Sequence, residues 1–150
     1  MEIIAAKPEE VLVIQYSVRE DIVLSLYHKF DYGQFRPLPA VRYEKNGILR
    51  GYILTDGHHR ASVVCLNGFD IPLKIEDNDQ RFRKNIRNPK HHFHTMEKFI
   101  AYYESFWKPA NRLYGILSIN DLVRINGLVS KKTKMVMVRS ITILADSLTI

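Results

Sequence analysis

A short junction at residues 52–61, with the sequence YILTDGHHRA, constrains the fold of this chain more than any other stretch. An apolar run stops at Asp56-Gly57, and apolar positions at helical spacing start within two residues. A strand that turns directly into a helix leaves unpaired N–H groups at the helix start, which carries partial positive charge. Because phosphates bind readily at such a helix start, the junction predicts an anion or nucleotide site at residues 55–60.

The residue types at this junction suit phosphate binding. Gly57 allows a sharp turn and lets the backbone approach a ligand without interference from a Cβ. The N–H groups at the helix start can cradle a phosphate, and the Arg60 guanidinium offers a planar fork of donors to its oxygens. The binding residues that we expect from the turn are Thr55, Gly57, His58, His59, Arg60 and Ala61.

The same turn holds candidates for catalysis and for metal binding. His58 and His59 can donate a hydrogen bond to phosphate or move a proton near neutral pH. Asp56 can hold Mg²⁺ through a carboxylate oxygen, or can orient one of the histidines. The alternative is a simple hairpin-to-helix turn in which Asp56 caps the helix and the histidines are solvated. Two histidines and an arginine at one helix start favour phosphate binding over that alternative.

Composition sets the broad class of protein. With 150 residues, 46% hydrophobic and 25% charged, the chain has the size of one globular domain, or of one domain with a small appendage. No apolar run approaches the roughly 18–20 residues that span a bilayer, and residues 1–8 lack the basic region of a signal peptide. The single cysteine, Cys65, excludes an internal disulfide and suits a reducing cytoplasm.

Hydrophobic patterning predicts an αβ arrangement for the first half of the chain. Strands are predicted at residues 8–18, 40–44, 49–54 and 71–75. Helices are predicted at residues 19–30 and from the junction to Asn67-Gly68. The Asn46-Gly47 pair predicts a hairpin turn between the second and third strands. Pro72 indicates either the start of the last strand or an edge position for it.

The charge of the chain is concentrated in its second half. Residues 1–80 hold 9 Lys/Arg and 12 Asp/Glu, whereas residues 81–150 hold 13 Lys/Arg and 4 Asp/Glu. The second half is therefore the expected face for a polyanion, and the alternative is a solvated basic surface. Residues 81–94 are polar, basic and rich in histidine, which predicts a linker. Its His91-His92-Phe93-His94 run does not have the spacing of a zinc site.

Three helices are predicted beyond the linker, and they complete the expected fold. They begin near Thr95, Ser118 and Ser130, each of which can cap a helix, and Lys108-Pro109 is expected to end the first. The chain is therefore predicted to be α+β. The expected units are a small mixed sheet in residues 1–80, a basic linker at 81–94 and a helical region at 95–150.

The last two predicted helices are similar to a helix-turn-helix. A helix from Ser118 leads to a turn at Gly127 and to a second helix capped by Ser130. The N-terminal residues of such a second helix reach phosphates and base edges. The expected DNA-binding residues are Ser130, Lys131, Lys132, Thr133 and Lys134. The alternative is a helical cap that packs Met96, Phe99, Trp107 and Leu122 against the αβ half.

The order of motifs in residues 8–76 resembles the ParB/sulfiredoxin superfamily. The resemblance is carried by the segment Arg36-Pro37-Leu38-Pro39, the DGHHR turn, the short helix that ends at Asn67-Gly68 and the strand Ile71-Pro72-Leu73. In that superfamily the turn binds nucleoside phosphates, usually with Mg²⁺. The resemblance thus implies ATP, ADP or CTP as the ligand. It also implies Asp56 as a metal ligand and Arg36 as a further phosphate contact, although the alternative for Arg36 is an exposed side chain without such a contact.

The branches of this superfamily imply different functions. Partition proteins use the turn for a CTP-driven clamp and carry a helix-turn-helix after it, so DNA and a second copy of the chain become expected partners. Free serine kinases use a very similar DGHHR turn with ATP or ADP, and they take a glutamate from the N-terminal part as the base. Glu20 is in a comparable place, although an acid in a first helical turn also complements the helix dipole.

Beside NTP hydrolysis and small-molecule phosphorylation, the other two possibilities are sulfiredoxin chemistry and a scaffold without catalysis. Sulfiredoxins place a reactive cysteine where this chain has His58, so sulfiredoxin chemistry is not expected, and Cys65 is expected to be a buried small side chain. The other alternative is a binding scaffold, with or without DNA contact, that catalyses no reaction.

Overall fold

The computed structural model describes residues 2–85 and 93–128 of the chain. The predicted helix that begins at Ser130 lies outside the described residues, as do His91 and His92. None of the helices within the described ranges combines the length and the apolar composition needed to span a membrane.

Strands and helices are mixed along the chain, as the α+β prediction requires. The strands are β1 (Glu2–Ala6), β2 (Val11–Leu12), β3 (Leu38–Lys45), β4 (Ile48–Leu54) and β5 (Ile71–Ile75). The helices are α1 (Glu20–His28), α2 (His58–Leu66), α3 (Asp79–Asn85), α4 (Met96–Tyr102), α5 (Lys108–Arg112) and α6 (Ile119–Ile125). Within the described part of the chain, the strands form one five-stranded mixed sheet in the order β1-β5-β3-β4-β2.

The β3–β4 hairpin is the part of the sheet that delivers the chain to the junction. Its strands pair antiparallel, and the turn residues Asn46 and Gly47 have φ values of +55° and +74°. Positive φ at both positions is typical of the tight hairpin turn that an Asn-Gly pair predicts. β4 also pairs in parallel with β2, so it enters the junction with a neighbouring strand on each side.

Different helices cover the two faces of the sheet. One buried cluster joins the sheet to α2 and α6 and includes Leu38, Leu54, Ala61, Val64, Leu73 and Leu122. A second buried cluster joins the sheet to α3, α4 and the turn after α4, and includes Val41, Tyr43, Ile53, Phe82, Phe99 and Trp107. Adjacent strand residues fall in different clusters because strand side chains alternate between faces. Of the described helices beyond residue 95, α4 with the turn after it and α6 therefore pack on the sheet, as expected of a helical cap.

The first part of the predicted linker is a helix. α3 occupies Asp79–Asn85, and its Phe82 is fully buried against Phe99, with the ring centroids 5.2 Å apart. The Asp79 carboxylate also accepts a hydrogen bond from the N–H of Met96, at 2.9 Å. The linker prediction was wrong for these residues because one aromatic side chain among polar neighbours gives no helical periodicity.

The predicted stop at Lys108-Pro109 was also wrong. α4 runs into a wider π-helical turn at Tyr103–Trp107, and α5 follows directly. Pro109 lies in the first turn of α5, where its missing N–H costs little and the wider turn before it leaves room for the ring. In contrast, α6 begins after a Ser118 cap, as predicted.

The N-terminal strands differ most from the predicted ones. β1, which we did not predict, lies at the sheet edge and pairs antiparallel with β5. β5 is therefore an inner strand, and Pro72 precedes its pairing with β3, which begins at Leu73. The strand predicted at residues 8–18 is reduced to β2. Beyond it, Val13 is still buried and donates its N–H to the carbonyl of Leu117, so the chain leaves the sheet there, and Tyr16 and Ser17 are exposed.

Candidate functional site

The junction forms a sharp left-handed turn at Gly57. Gly57 has a φ of +87° and precedes α2 without capping it through a side chain. The Asp56 carboxylate accepts a hydrogen bond from the N–H of Gly57, at 2.8 Å. Since Gly57 occupies the capping position, the alternative in which Asp56 caps the helix was wrong. A Cβ at residue 57 would lie 2.8 Å from Cδ2 of Leu38, so this turn requires glycine.

The first N–H groups of α2 are the ones that a bound anion could use. Helix geometry gives no internal partner to the N–H groups of His58, His59 and Arg60. The N–H of Ala61, in contrast, donates to the carbonyl of Gly57 at 2.8 Å. Ala61 is fully buried, so the structure does not support the phosphate contact that we expected from it.

His58 holds the turn to the segment that follows β2. Its Nε2 accepts a hydrogen bond from the N–H of Ile14 at 3.1 Å, and the residue is only 5% exposed. Burial, followed by the neighbouring His59, lowers the pKa of His58 to about 3. The ring is therefore neutral near pH 7 with its proton on Nδ1. The structure therefore does not support our expectation that His58 moves a proton near neutral pH, and its ring instead holds the turn to the N–H of Ile14.

His59 makes an equivalent contact one residue further along. Its Nε2 accepts a hydrogen bond from the N–H of Arg19 at 3.1 Å. Burial and the Arg19 charge lower the pKa of His59, and Asp21 opposes them in part. Arg19 immediately precedes α1. The two imidazoles therefore fix the segment 14–19 and the start of α1 against the start of α2.

The buried imidazole makes stability depend on pH. Unfolded His58 binds a proton below its ordinary pKa of about 6.5, whereas the folded residue stays neutral down to about pH 3. The unfolded state thus binds more protons in this window, and the free energy of unfolding should fall by up to about 1.4 kcal/mol per pH unit on acidification. Urea unfolding at pH 7.5 and at pH 5.0 measures this loss.

A matched pair of variants assigns that loss to His58. In His58→Gln, the amide oxygen can still accept from Ile14 but does not titrate, so much of the difference between pH 7.5 and 5.0 should disappear. In His28→Gln, an exposed histidine at the end of α1 is replaced, and the difference should persist. If both variants keep the parent's pH dependence, the neutral buried imidazole is refuted.

A cavity of about 340 Å³ lies between α1, the segment 29–36 and α2. Its charged lining residues are Lys29, Asp31, Arg36 and Arg60. The rest of the lining is mostly apolar and includes Leu26, Phe30, Phe35 and Val63. We name this space the arginine cavity. It brings together Arg36 and Arg60, two of the predicted phosphate contacts that lie 24 residues apart in the sequence.

Arg60 connects the turn to the arginine cavity. It lies in the first turn of α2, and its Nη2 would be 3.4 Å from a Cβ placed on Gly57. The guanidinium therefore lies beside the turn while the residue also lines the cavity. On the other side, Phe30 packs near Phe35, with ring centroids 6.2 Å apart. The cavity thus presents cationic donors and aromatic rings to the same volume.

The remaining predicted residues do not line the arginine cavity. Thr55 is buried, and its hydroxyl donates to the carbonyl of Pro39 at 3.1 Å. Glu20 is exposed at the first position of α1. Leu26, which lines the cavity, lies six residues further on, or about 9 Å along the helix axis. A role for Glu20 as a base in this cavity is therefore not supported by its position.

The residues around the turn fit one kind of metal site and not another. Within residues 2–85 and 93–128, no group of three His, Cys, Asp or Glu side chains is arranged to hold a metal ion. A transition-metal site made of protein side chains alone therefore has no support there. Mg²⁺ commonly takes one or two carboxylates and completes its shell with phosphate and water oxygens. Asp56 could supply such a carboxylate beside the turn.

Cys65 packs against the core as a small side chain, but it is only partly buried, less than we expected. Burial, and then Glu9, raise the pKa of its thiol to about 11. A thiol that stays protonated at neutral pH is a poor nucleophile.

Sequence reasoning missed part of the cavity wall. Lys29, Phe30 and Phe35 line it, but we interpreted residues 19–30 only as a helix and assigned no role to Phe35. The signal lay in the clustering of three aromatic residues and two cations within residues 29–36. The backbone partners of His58 and His59 had no sequence signal, because they lie 44 and 40 residues away.

No protein-family model matches this chain, and neither a curated protein nor a solved structure matches it. Membership in the ParB/sulfiredoxin superfamily therefore stays a prediction made from residues 8–76.

Proposed function

We propose that this protein binds a nucleoside phosphate in the arginine cavity. The observation that carries the proposal is that Arg36 and Arg60 line the same cavity as Phe30 and Phe35. Guanidinium groups match phosphate oxygens in a planar, two-pronged geometry. Aromatic rings offer a surface on which a base can stack. The cavity therefore offers guanidinium groups to the phosphates of a nucleotide and aromatic rings to its base.

Size and charge agree with such a ligand. The volume of about 340 Å³ falls in the range of small-molecule sites. Three cations and the single carboxylate of Asp31 give the lining a surplus of two positive charges. The uncapped start of α2 adds the partial charge of the helix dipole close to Arg60. Together they favour an anion with more than one negative charge.

We extend the proposal to Mg²⁺ and to chemistry on the nucleotide. Asp56 would hold the ion through a carboxylate oxygen, while phosphate oxygens and water complete the shell. Bound Mg²⁺ would neutralise charge that develops on the phosphates during hydrolysis or transfer. His58 and His59 would position the turn through their backbone contacts. Phosphorus NMR of ATP incubated with the protein, and with Asp56→Asn as the comparison, detects any turnover.

Thermal unfolding with ligands tests the binding proposal. ATP, ADP or CTP with Mg²⁺ should stabilise the protein by about 2.7 kcal/mol at a hundred times the dissociation constant. Adenosine and cytidine serve as matched controls that lack phosphate, and they should stabilise it far less. If no nucleotide, pyrophosphate or phosphate raises the unfolding temperature, the proposal is wrong.

DNA contact by the tail stays a prediction. Ser130, Lys131, Lys132, Thr133 and Lys134 lie outside the described residues. The described part of the predicted motif, α6 and the turn at Gly127 with a φ of +69°, has the expected form. Two alternative functions depend on the nucleotide site proposed above. In one, the bound nucleotide regulates DNA binding. In the other, the protein is a small-molecule kinase.

A further inference from the structure

A second charged concavity lies between the β3–β4 hairpin and α5. Two cavities, of about 300 and 410 Å³, share Tyr43, Lys45, Lys108 and Arg112 in their walls. Because they share these walls, we treat them as one surface and name it the hairpin cleft. It has no lining residue in common with the arginine cavity.

Positive charge dominates the hairpin cleft. Lys45 and Arg50 come from the hairpin, and Lys108 and Arg112 come from α5. Glu104 is the acidic residue of the lining. Within the part of the chain that the structure describes, no salt bridge engages any of these four cations. Placing like charges together in a concave surface raises their electrostatic repulsion. A bound anion would reduce this repulsion.

The side chains beneath these cations are packed against one another. Lys108 Nζ lies 3.4 Å from the hydroxyl of Tyr43 and 5.3 Å from the centroid of its ring. Tyr43 is buried and packs edge-on against Tyr103 at 5.3 Å. Burial, and then Glu104, raise the pKa of Tyr43, so the phenol stays neutral. The ammonium of Lys108 therefore lies against the hydroxyl and the ring of Tyr43.

The spread of the cations favours an anion with several charges in series. Lys45, Lys108 and Arg112 border both cavities, and Arg50 extends the basic wall of the larger one. A single phosphate would contact only part of this surface. Linked phosphates carry about one charge per group and can satisfy cations on both walls.

We propose that the hairpin cleft binds linked phosphate groups, either in the backbone of a nucleic acid strand or in a free oligophosphate. This site is independent of the nucleotide site proposed above, since it uses other residues. Arg60→Ala should therefore leave it intact, which keeps a failure of one proposal distinguishable from a failure of the other.

Fluorescence anisotropy with a labelled single-stranded oligonucleotide, with tripolyphosphate as competitor, tests the proposal at low salt. Lys45→Glu/Arg112→Glu should weaken binding at least tenfold. It should also reduce the slope of log affinity against log salt by about 1.4, or about 0.7 for each phosphate contact on a single strand. The charge-matched control is Lys7→Glu/Lys98→Glu, which changes two exposed lysines outside the cleft, and it should keep nearly the parent affinity.

Further arms of the experiment identify the source and guard against misfolding. If calorimetry detects tripolyphosphate binding that the cleft variant loses, and the oligonucleotide does not bind, the ligand is a free oligophosphate. The neutral variant Lys45→Gln/Arg112→Gln should fold as the parent does and show an intermediate loss. Lys131→Ala/Lys132→Ala reports binding by the tail instead. Equal binding by the cleft variant and its control, or equal cleft-dependent binding of polyglutamate, would overturn the proposal.

Discussion

Replacing Arg60 with alanine is expected to weaken the binding of ATP, ADP or CTP by about 10- to 100-fold. Arg60 lies beside the turn and lines the arginine cavity, so its guanidinium can contact phosphates at both places. Hydrogen bonds to charged groups contribute about 1.5–3 kcal/mol each, which sets the size of the effect. Isothermal titration calorimetry with and without Mg²⁺ measures it.

Three related variants define what Arg60 contributes. Arg60→Lys keeps the charge but loses the planar fork, so it should recover only part of the affinity. Arg36→Ala should also weaken binding, and the double variant should deviate from additivity because both residues would contact one ligand. Lys98→Ala removes an exposed cation on α4 and should have little effect. Equal affinities for Arg60→Ala and Lys98→Ala would refute the placement of the phosphates.

Replacing Gly57 with alanine is expected to lower the free energy of unfolding by about 2–4 kcal/mol. The φ of +87° strains any residue that has a Cβ. The added Cβ would also lie 2.8 Å from Cδ2 of Leu38, whose side chain is fully buried. Urea unfolding at pH 7.5 measures the loss, and nucleotide-dependent stabilisation should decline with it because the turn shifts.

Gly68→Ala is the matched control for this clash. Gly68 has a φ of +77°, but a Cβ there would have no neighbour within 4 Å. It should therefore show only the cost of the positive φ, about 1–2 kcal/mol. The difference between the two variants isolates the contact with Leu38. If Gly57→Ala costs no more than Gly68→Ala, the tight approach of the turn to β3 is wrong.

Local signals explain which parts of the fold could be predicted. The hairpin turn at Asn46-Gly47 and the capped start of α6 at Ser118 depend on residues that are adjacent in sequence, and both are observed. β1 was not predicted because Ala6 is its one buried residue. Its strand conformation therefore depends on pairing with β5. α3 likewise depends on the burial of Phe82 against helices that follow it.

Only the residue types of the candidate site, and not their contacts, could be predicted from the sequence. The DGHHR letters indicated an anion site at the turn, and the arginine cavity brings Arg60 together with Arg36. The sequence could not distinguish a histidine that contacts ligand from one that accepts a backbone N–H. His58 binds the N–H of Ile14 across 44 residues, and its burial, not its residue type, decides that it stays neutral.

An amide NMR titration with ATP, ADP and CTP in the presence of Mg²⁺ tests the central claim most directly. We expect at least one nucleotide to shift amide signals in residues 29–36 and 57–63, and Arg60→Ala to abolish those shifts at the same ligand concentration. Adenosine and cytidine should shift them far less. The claim would be contradicted if no nucleotide shifts these signals, or if the shifts fall only around Lys45, Arg50 and Arg112.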